Sequence, residues 1–457
     1  MIRKLLYGAG ALGASMFAAT AAWAQEATEA ATEAAAAAAA AVPEVVEAAA
    51  EAAPTLDTGD TAWMMISTVL VLAMIVPGLA LFYGGLLRTK NMLSMLTHVL
   101  AIACVAMLVW VCWGYSIAFS GEGAFFGDGG KLFLAGITPD TLSGTIPEYV
   151  FISFQMTFAA ITAALVVGSL AERVKFTGLM VFAVIWLTIV YFPLAHMVWA
   201  SGGFFFEKGA LDFAGGTVVH INAGVSGLVG CLILGKRTGY LKEAMPPHSL
   251  TATLIGTGLL WVGWFGFNAG SALGASGTAG LAMINTFTAT AAAAIAWLVA
   301  EKVSGHKSTL LGACSGVIAG LVAITPAAGN AGPFGAIVLG AVAGVVCYIF
   351  VGAIKPKLGF DDTADVFGIH GVAGILGSIG VAFTYAPGFG GPGDADYAIG
   401  AQLGTQFFAT AVAIAWAAIG SAIAFLIAKY TVGLRVSPEV ESEGLDLGEH
   451  GERAYNY

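Results

Sequence analysis

Two histidines stand in the same local pattern in distant parts of the chain. His220 is followed by Gly224, Gly227 and Gly230, and His370 by Gly374, Gly377 and Gly380, so both read His-x3-Gly-x2-Gly-x2-Gly. Each lies inside an apolar run long enough to cross a bilayer. A charge in such a place is expensive, so these imidazoles should be neutral and partnered. Two neutral imidazoles can bond each other through one shared N–H and still offer one donor and one acceptor to a passing molecule. One isolated histidine on an apolar helix is most simply a satisfied core residue. A symmetry-related pair makes a pore-facing role the better reading. No third His, Cys or carboxylate stands at ligand spacing, so neither a metal site nor a cofactor is expected.

Aromatic side chains add to this pattern. Phe154 and Phe158 are spaced i,i+4 and share one helix face. Trp264 and Phe267 lie in Trp264-Phe-Gly-Phe267-Asn-Ala-Gly-Ser271, and Trp199 ends the run His196-Met-Val-Trp199. By type alone these are core, lipid-facing or interfacial residues. Asp212 precedes Gly215 and Gly216 and reads first as a helix-capping carboxylate.

The elements that must position these residues follow from composition. Hydrophobic residues are 58% of the 457 and charged residues 10%, against roughly 25% charged in an ordinary soluble domain. So few charges cannot cover a soluble surface, which excludes a cytosolic enzyme. The net charge of −10 and the lack of a basic patch exclude a nucleic-acid binder. Glycine, 62 residues, is about twice its usual share, as closely packed membrane helices require. A spanning helix needs about 20 apolar residues. Seven charge-free runs hold one span each. Two longer runs, 244–300 and 308–354, hold two each, breaking at 268–274 and 325–333. That makes eleven spans.

The loop charges test this count. With the mature N-terminus outside, fourteen of the eighteen Lys and Arg fall inside, among them Arg88, Arg173, Arg237 and Arg435. Only Lys131 and Lys208 fall outside, and Arg3 and Lys4 precede the first apolar stretch. His220 lies in the fifth span and His370 in the tenth. Five spans per half is an odd number, so the second half enters the membrane inverted relative to the first, and a site is expected between the halves. The fold class is therefore an all-α integral membrane protein: eleven transmembrane helices, two five-helix inverted repeats plus one extra helix.

At the N-terminus, Arg3 and Lys4, an apolar stretch and Ala22-Trp23-Ala24 read as a signal peptide over residues 1–24. Residues 25–58 are Ala/Glu-rich without an apolar stripe and read as a flexible acidic segment. Cys104, Cys112, Cys231, Cys314 and Cys347 all lie in apolar runs, which makes them small buried hydrophobes rather than a disulfide framework.

Several longer motifs resemble the bacterial ammonium transporters of the Amt/Mep/Rh family. They are Leu81-Phe-Tyr-Gly-Gly85, Ala171-Glu-Arg173, Pro193-Leu-Ala-His-Met-Val-Trp199, Asp212-Phe-Ala-Gly-Gly-Thr-Val-Val-His220-Ile-Asn222, Gly263-Trp-Phe-Gly-Phe-Asn-Ala-Gly-Ser271, Leu311-Gly-Ala-Cys-Ser-Gly316 and Asp365-Val-Phe-Gly-Ile-His370-Gly371. Thr431-Val-Gly-Leu-Arg435 and Gly451-Glu-Arg-Ala-Tyr455 resemble the family's tail. The likeness runs from about Thr61 to Tyr457; the Ala/Glu-rich stretch before Asp57 departs from it, and beyond the two N-terminal parts at 1–24 and 25–58 the chain divides into a membrane domain at 59–432 and a cytoplasmic tail at 433–457.

The resemblance implies residue roles. Trp199, Phe158 and Ser271 would recruit ammonium at an outer vestibule, with Asp212 holding that region in shape and stabilising the cation at a distance. Phe158 and Phe267 would form a gate with Phe154 beside it, and His220, His370 and Trp264 would line a narrow apolar pore. It also implies a homotrimer in the inner (plasma) membrane, a docked regulatory tail and a P-II signal protein at the cytoplasmic face.

The chemistry is consistent. Ammonium and potassium are alike in size and charge, and moving such an ion into an apolar medium costs of order 20 kcal/mol. Ammonium can leave a proton behind and cross as ammonia; potassium cannot. Proton passage along the histidine pair is part of this expectation. An ammonium sensor or an Rh-type gas channel with the same pore are alternatives within the family. An ion-coupled carrier of another substrate would call for intramembrane carboxylates, which the spans lack. No nucleophile–base pair or phosphate loop points to an enzyme.

Overall fold

A computed structural model describes residues 55–455. The signal peptide expected at residues 1–24 and the acidic segment up to residue 54 lie outside the described residues.

Eleven helices among the described residues are long and apolar enough to cross a membrane. They are α1 (Thr58–Leu86), α2 (Thr89–Phe119), α3 (Glu148–Leu170), α4 (Phe176–Trp199), α5 (Gly216–Leu234), α6 (Leu250–Gly270), α7 (Gly277–Val303), α8 (Leu310–Ala327), α9 (Pro333–Leu358), α10 (Phe367–Thr384) and α11 (Ile399–Thr431). The two long runs break where the sequence predicts, at 271–276 and 328–332. Two short helices follow, α12 (Pro438–Glu443) and α13 (Leu445–His450). A two-residue hairpin, β1 (Leu142–Ser143) with β2 (Ile146–Pro147), lies before α3. The chain is thus all-α, built on two inverted five-helix repeats and one further helix.

Burial separates the helices by role. α3 is buried along most of its length, and α9 is the most exposed of the eleven. Exposed Leu108, Leu232, Ile295 and Ile419 form the outer apolar surface that a spanning bundle presents to lipid. The inner surface is dense with glycine contacts. A Cβ on Gly224 would come within 2.4 Å of the Gly371 backbone nitrogen, and one on Gly256 within 2.3 Å of the Phe82 nitrogen.

α5 and α10 are short, 19 and 18 residues, and each opens with a π-helical turn, Gly216–Ile221 and Phe367–Gly371. Both helices start later than their apolar runs, because an irregular segment leads into each. α5 enters from the end that carries the β1–β2 hairpin. α10 enters from the end that carries α12 and α13. Two short spanning helices entering from opposite sides bring their first turns together, and His220 and His370 both lie in those turns. Interrupted helices at matching places in inverted repeats are the usual frame of a midplane site.

At the tail end, charged loops are knotted together. Glu172 accepts from Arg88 and Arg237, and Arg237 also pairs with Asp361 at 2.8 Å. Arg173, fully buried, donates to the carbonyls of Gly235 and Asp361. The tail docks on this knot. Val174 bridges to Arg435, Arg435 pairs with Glu441 at 2.7 Å, and Glu441 also accepts from the Thr238 backbone. Asp446 accepts from the Leu93 and Ser94 N–H groups, and Glu449 from that of Phe176. The tail thereby caps α2 and α4, whose own sequences supply no side-chain cap. Glu439 and Glu443 face solvent.

Candidate functional site

A cavity of about 410 Å3 opens at the hairpin end, lined by residues that include Trp199, Phe158, Ser271, Gln155, Glu148 and Lys131. Glu148, Phe151, Gln155 and Phe158 succeed one another at i,i+3 or i,i+4 and line it from α3, so one stripe of that helix runs from the cavity mouth to its floor. The Trp199 indole donates to the Asp212 carbonyl at 2.9 Å, which holds the ring face toward the cavity edge of Phe158, 5.8 Å away and nearly perpendicular. Ser271 closes α6 with its hydroxyl donating to the Phe267 carbonyl.

Asp212 does not line the cavity. It lies behind Trp199, 8% exposed. Its carboxylate accepts from the N–H groups of Gly215, Gly216, Thr217 and Val218 and from the Thr217 hydroxyl. It caps the start of α5, where the backbone donors have no helical partner. Burial pushes this carboxyl above its ordinary range, against the pull of those hydrogen bonds. Gly215 has φ of 118°, a conformation that glycine adopts without strain and that lets four consecutive N–H groups reach one side chain.

The cavity floor is aromatic. Phe158 and Phe267 stack with centroids 4.1 Å apart and planes 17° from parallel. Phe154 packs against Phe158 at 4.8 Å and lines neither space. Below the stack, a second cavity of about 10 Å3 is bounded by Phe267, Trp264, His220, His370 and apolar side chains such as Ile161 and Leu165. That is at the limit of what one water molecule requires.

The two histidines meet there, Nδ1 to Nδ1 at 3.3 Å, with ring centroids 5.4 Å apart. His220 also stacks on Trp264 at 5.4 Å. Thr325, at the end of α8, ties this group together. Its hydroxyl accepts from the Trp264 indole at 3.0 Å and lies 3.3 Å from His220 Nε2. One proton shared between the Nδ1 atoms leaves the other ring positions free to serve as donor or acceptor. His220 is 1% and His370 4% exposed.

The structure therefore brings Trp199, Phe158 and Ser271 to one cavity, stacks Phe158 on Phe267, and gathers His220, His370 and Trp264 below them. Three residues escaped the sequence reading. Thr325 was legible only as a helix break. Gln155, whose buried Oε1 has no hydrogen-bond partner, reads as one more polar residue in an apolar run. Asp362 caps α10 through the Val366 and Phe367 N–H groups, as Asp212 caps α5. It lies eight residues before His370, the spacing of Asp212 to His220, so the repeat itself carried the signal. Among the described residues no group of His, Cys, Asp and Glu is arranged to hold a metal ion.

Residues 62–455 match the model of the Ammonium Transporter Family. An ammonium transporter of Aquifex aeolicus is 47% identical over 408 residues, covering 88% of this chain and 94% of that protein. Among solved structures, a sensor Amt protein is similar with a TM-score of 0.79 at 29% identity, over 86% of this chain and 98% of that one. Mep2 of Candida albicans is similar with a TM-score of 0.76 at 34% identity, over 84% and 88%. Glycine-packed inverted repeats, an aromatic floor and two facing imidazoles thus occur in a chain whose sequence matches one family over nearly all its described length: it belongs to the ammonium transporter family.

Proposed function

We propose that this protein carries ammonium across the membrane by holding the cation in the 410 Å3 vestibule, removing its proton at the Phe158–Phe267 stack and passing ammonia along the His220–His370 pair. The observation that carries this reading is the stacked phenyl pair sealing a roomy, partly polar cavity from a space of about 10 Å3 walled by apolar groups and two imidazoles. Trp199 offers a π face and Ser271 a hydroxyl to an ammonium ion, and both suit it. Desolvating an intact cation at the stack costs of order 20 kcal/mol. Potassium has no way to avoid that cost, whereas ammonium avoids it by leaving its proton on the vestibule side. The released proton has a route of its own through the Nδ1–Nδ1 contact.

The charge asymmetry of the loops supports a mature N-terminus outside, the vestibule outside, and the tail in the cytoplasm of an inner-membrane protein. Exposed apolar side chains on the outer helices support assembly as a homotrimer, and the docking of the tail on the loops supports a P-II protein acting at the cytoplasmic face. The likeness to a sensor Amt protein favours one second reading, ammonium binding with little flux.

The test is current on a solid-supported membrane carrying the purified protein in liposomes, with ammonium pulses set against potassium pulses. Ammonium alone should produce a response, and His220→Ala and His370→Ala should abolish its proton-coupled component. Equal responses to potassium would remove the proposal. Binding of ammonium with no flux would turn it into the sensor reading.

A further inference from the structure

The mouth of the vestibule holds an ammonium group that belongs to the protein. The Lys131 ε-ammonium sits 2.5 Å from Glu148 Oε1 and 5.5 Å from the centroid of the Tyr115 ring. The Tyr115 hydroxyl donates to the same Oε1. Glu148 Oε2 accepts no hydrogen bond among the described residues. The Glu148 side chain is 5% exposed and that of Lys131 34%, so a buried carboxylate faces a cation that water still reaches. Carboxylate plus aromatic face is the surround that a small ammonium ion seeks, by charge pairing and by the ring quadrupole.

The corner also leads somewhere. Glu148, Phe151, Gln155 and Phe158 form the α3 stripe that lines the cavity, and ten residues of helix from Glu148 to Phe158 span about 15 Å. Midway, the buried Gln155 Oε1 has no partner. A rotation of the Gln155 amide, which lines the cavity, would turn that acceptor toward an ammonium ion moving from Glu148 to the Trp199 and Ser271 end.

We infer that the Glu148–Tyr115 corner is an auxiliary ammonium-binding subsite, and that Lys131 occupies it as a tethered surrogate that the substrate must displace. Lys131 thereby sets the ammonium concentration at which the vestibule fills, while the Phe gate and the histidine pair set the rate. This rests on the transport reading. Water reaching the one-third-exposed Lys131 screens the pair and keeps it weak, so the competition amounts to about a two- to five-fold change in half-saturation.

The experiment measures ammonium uptake by the full chain in liposomes as a function of ammonium concentration. Lys131→Gln should lower the half-saturating concentration about two- to five-fold with the maximal rate unchanged. Glu148→Gln should raise it. In the Glu148→Gln background, Lys131→Gln should have no further effect, because the subsite is already gone. An unchanged or raised half-saturation in Lys131→Gln overturns the inference. So does a full Lys131→Gln effect in the Glu148→Gln background, since that would be long-range repulsion without a local site. Where Glu148→Gln fails to fold, Glu148→Asp, which draws the carboxylate back by one methylene, should raise the half-saturating concentration and shrink the Lys131→Gln effect; an unshifted value with the full Lys131→Gln effect overturns the inference. Ammonium-dependent thermal shifts of the purified protein read the same ranking without flux, so a failed transport reading leaves the subsite testable.

Discussion

At the residue scale, the pore group depends on one hydroxyl. Thr325 accepts from Trp264 and lies against His220, while its own proton goes to the Leu321 carbonyl at 2.8 Å or the Asn268 Oδ1 at 3.3 Å. Valine has the same shape and no oxygen, so Thr325→Val leaves the Trp264 N–H buried without an acceptor. A stranded buried donor costs about 1–3 kcal/mol. The melting temperature in detergent should fall accordingly, and ammonium uptake should fall further, because the His220 ring loses a contact that fixes its orientation. Unchanged uptake in a stably folded Thr325→Val protein would show that the hydroxyl positions nothing.

At the element scale, the decisive contact is the crossing of α5 and α10. A Cβ on Gly224 would lie 2.4 and 2.5 Å from the nitrogen and Cα of Gly371, and backbone cannot move aside as a flexible side chain can. Gly224→Ala therefore forces the two helices apart and lengthens the 3.3 Å histidine contact. Overpacking of this kind costs about 1–3 kcal/mol. The expected result is a folded, less stable protein whose proton-coupled current falls more than its melting temperature implies. A current that tracks stability alone would separate the histidine contact from transport.

At the scale of the whole molecule, Arg237 joins the two repeats by pairing with Glu172 from the first half and Asp361 from the second. Burial disfavours both carboxylate charges, but guanidiniums outweigh it, Arg88 and Arg237 at Glu172 and Arg237 and Arg173 at Asp361, and hold the two carboxyls below their ordinary values of 4.5 for Glu172 and 3.8 for Asp361. A depressed carboxyl stabilises the fold above its unfolded value and loses that contribution as pH falls through its folded value. Thermal stability in detergent should thus be flat above pH of about 5 and fall below about pH 4. Arg237→Met should flatten that acid limb while lowering stability at neutral pH. The tail acts at the same scale. Asp446 and Glu449 cap α2 and α4 from outside, and a lost cap costs about 0.5–2 kcal/mol. Removing residues 436–457 should lower uptake, and uptake equal to that of the full chain would count against a regulatory tail. Asp446→Ala with Glu449→Ala should reproduce part of the loss.

What the sequence by itself determined was whatever the bilayer enforces one segment at a time. Runs without charge mark helices because an unpaired backbone or a bare charge cannot stay in hydrocarbon, so eleven spans and the inverted repeat were legible, and the repeated His-x3-Gly pattern named the pair worth watching. Tertiary structure alone decided which side chains meet. Thr325 and Gln155 carry no local signal strong enough to stand out, because a hydroxyl or an amide acquires meaning only from what faces it, whereas Asp362 could be found only by setting its spacing to His370 beside that of Asp212 to His220. Phe154, Phe158 and Phe267 were ordinary apolar residues until packing stacked two of them and set the third behind. The tail's caps on α2 and α4 link positions more than 270 residues apart, a pairing that helix periodicity cannot encode, since it follows from how eleven rods settle against each other.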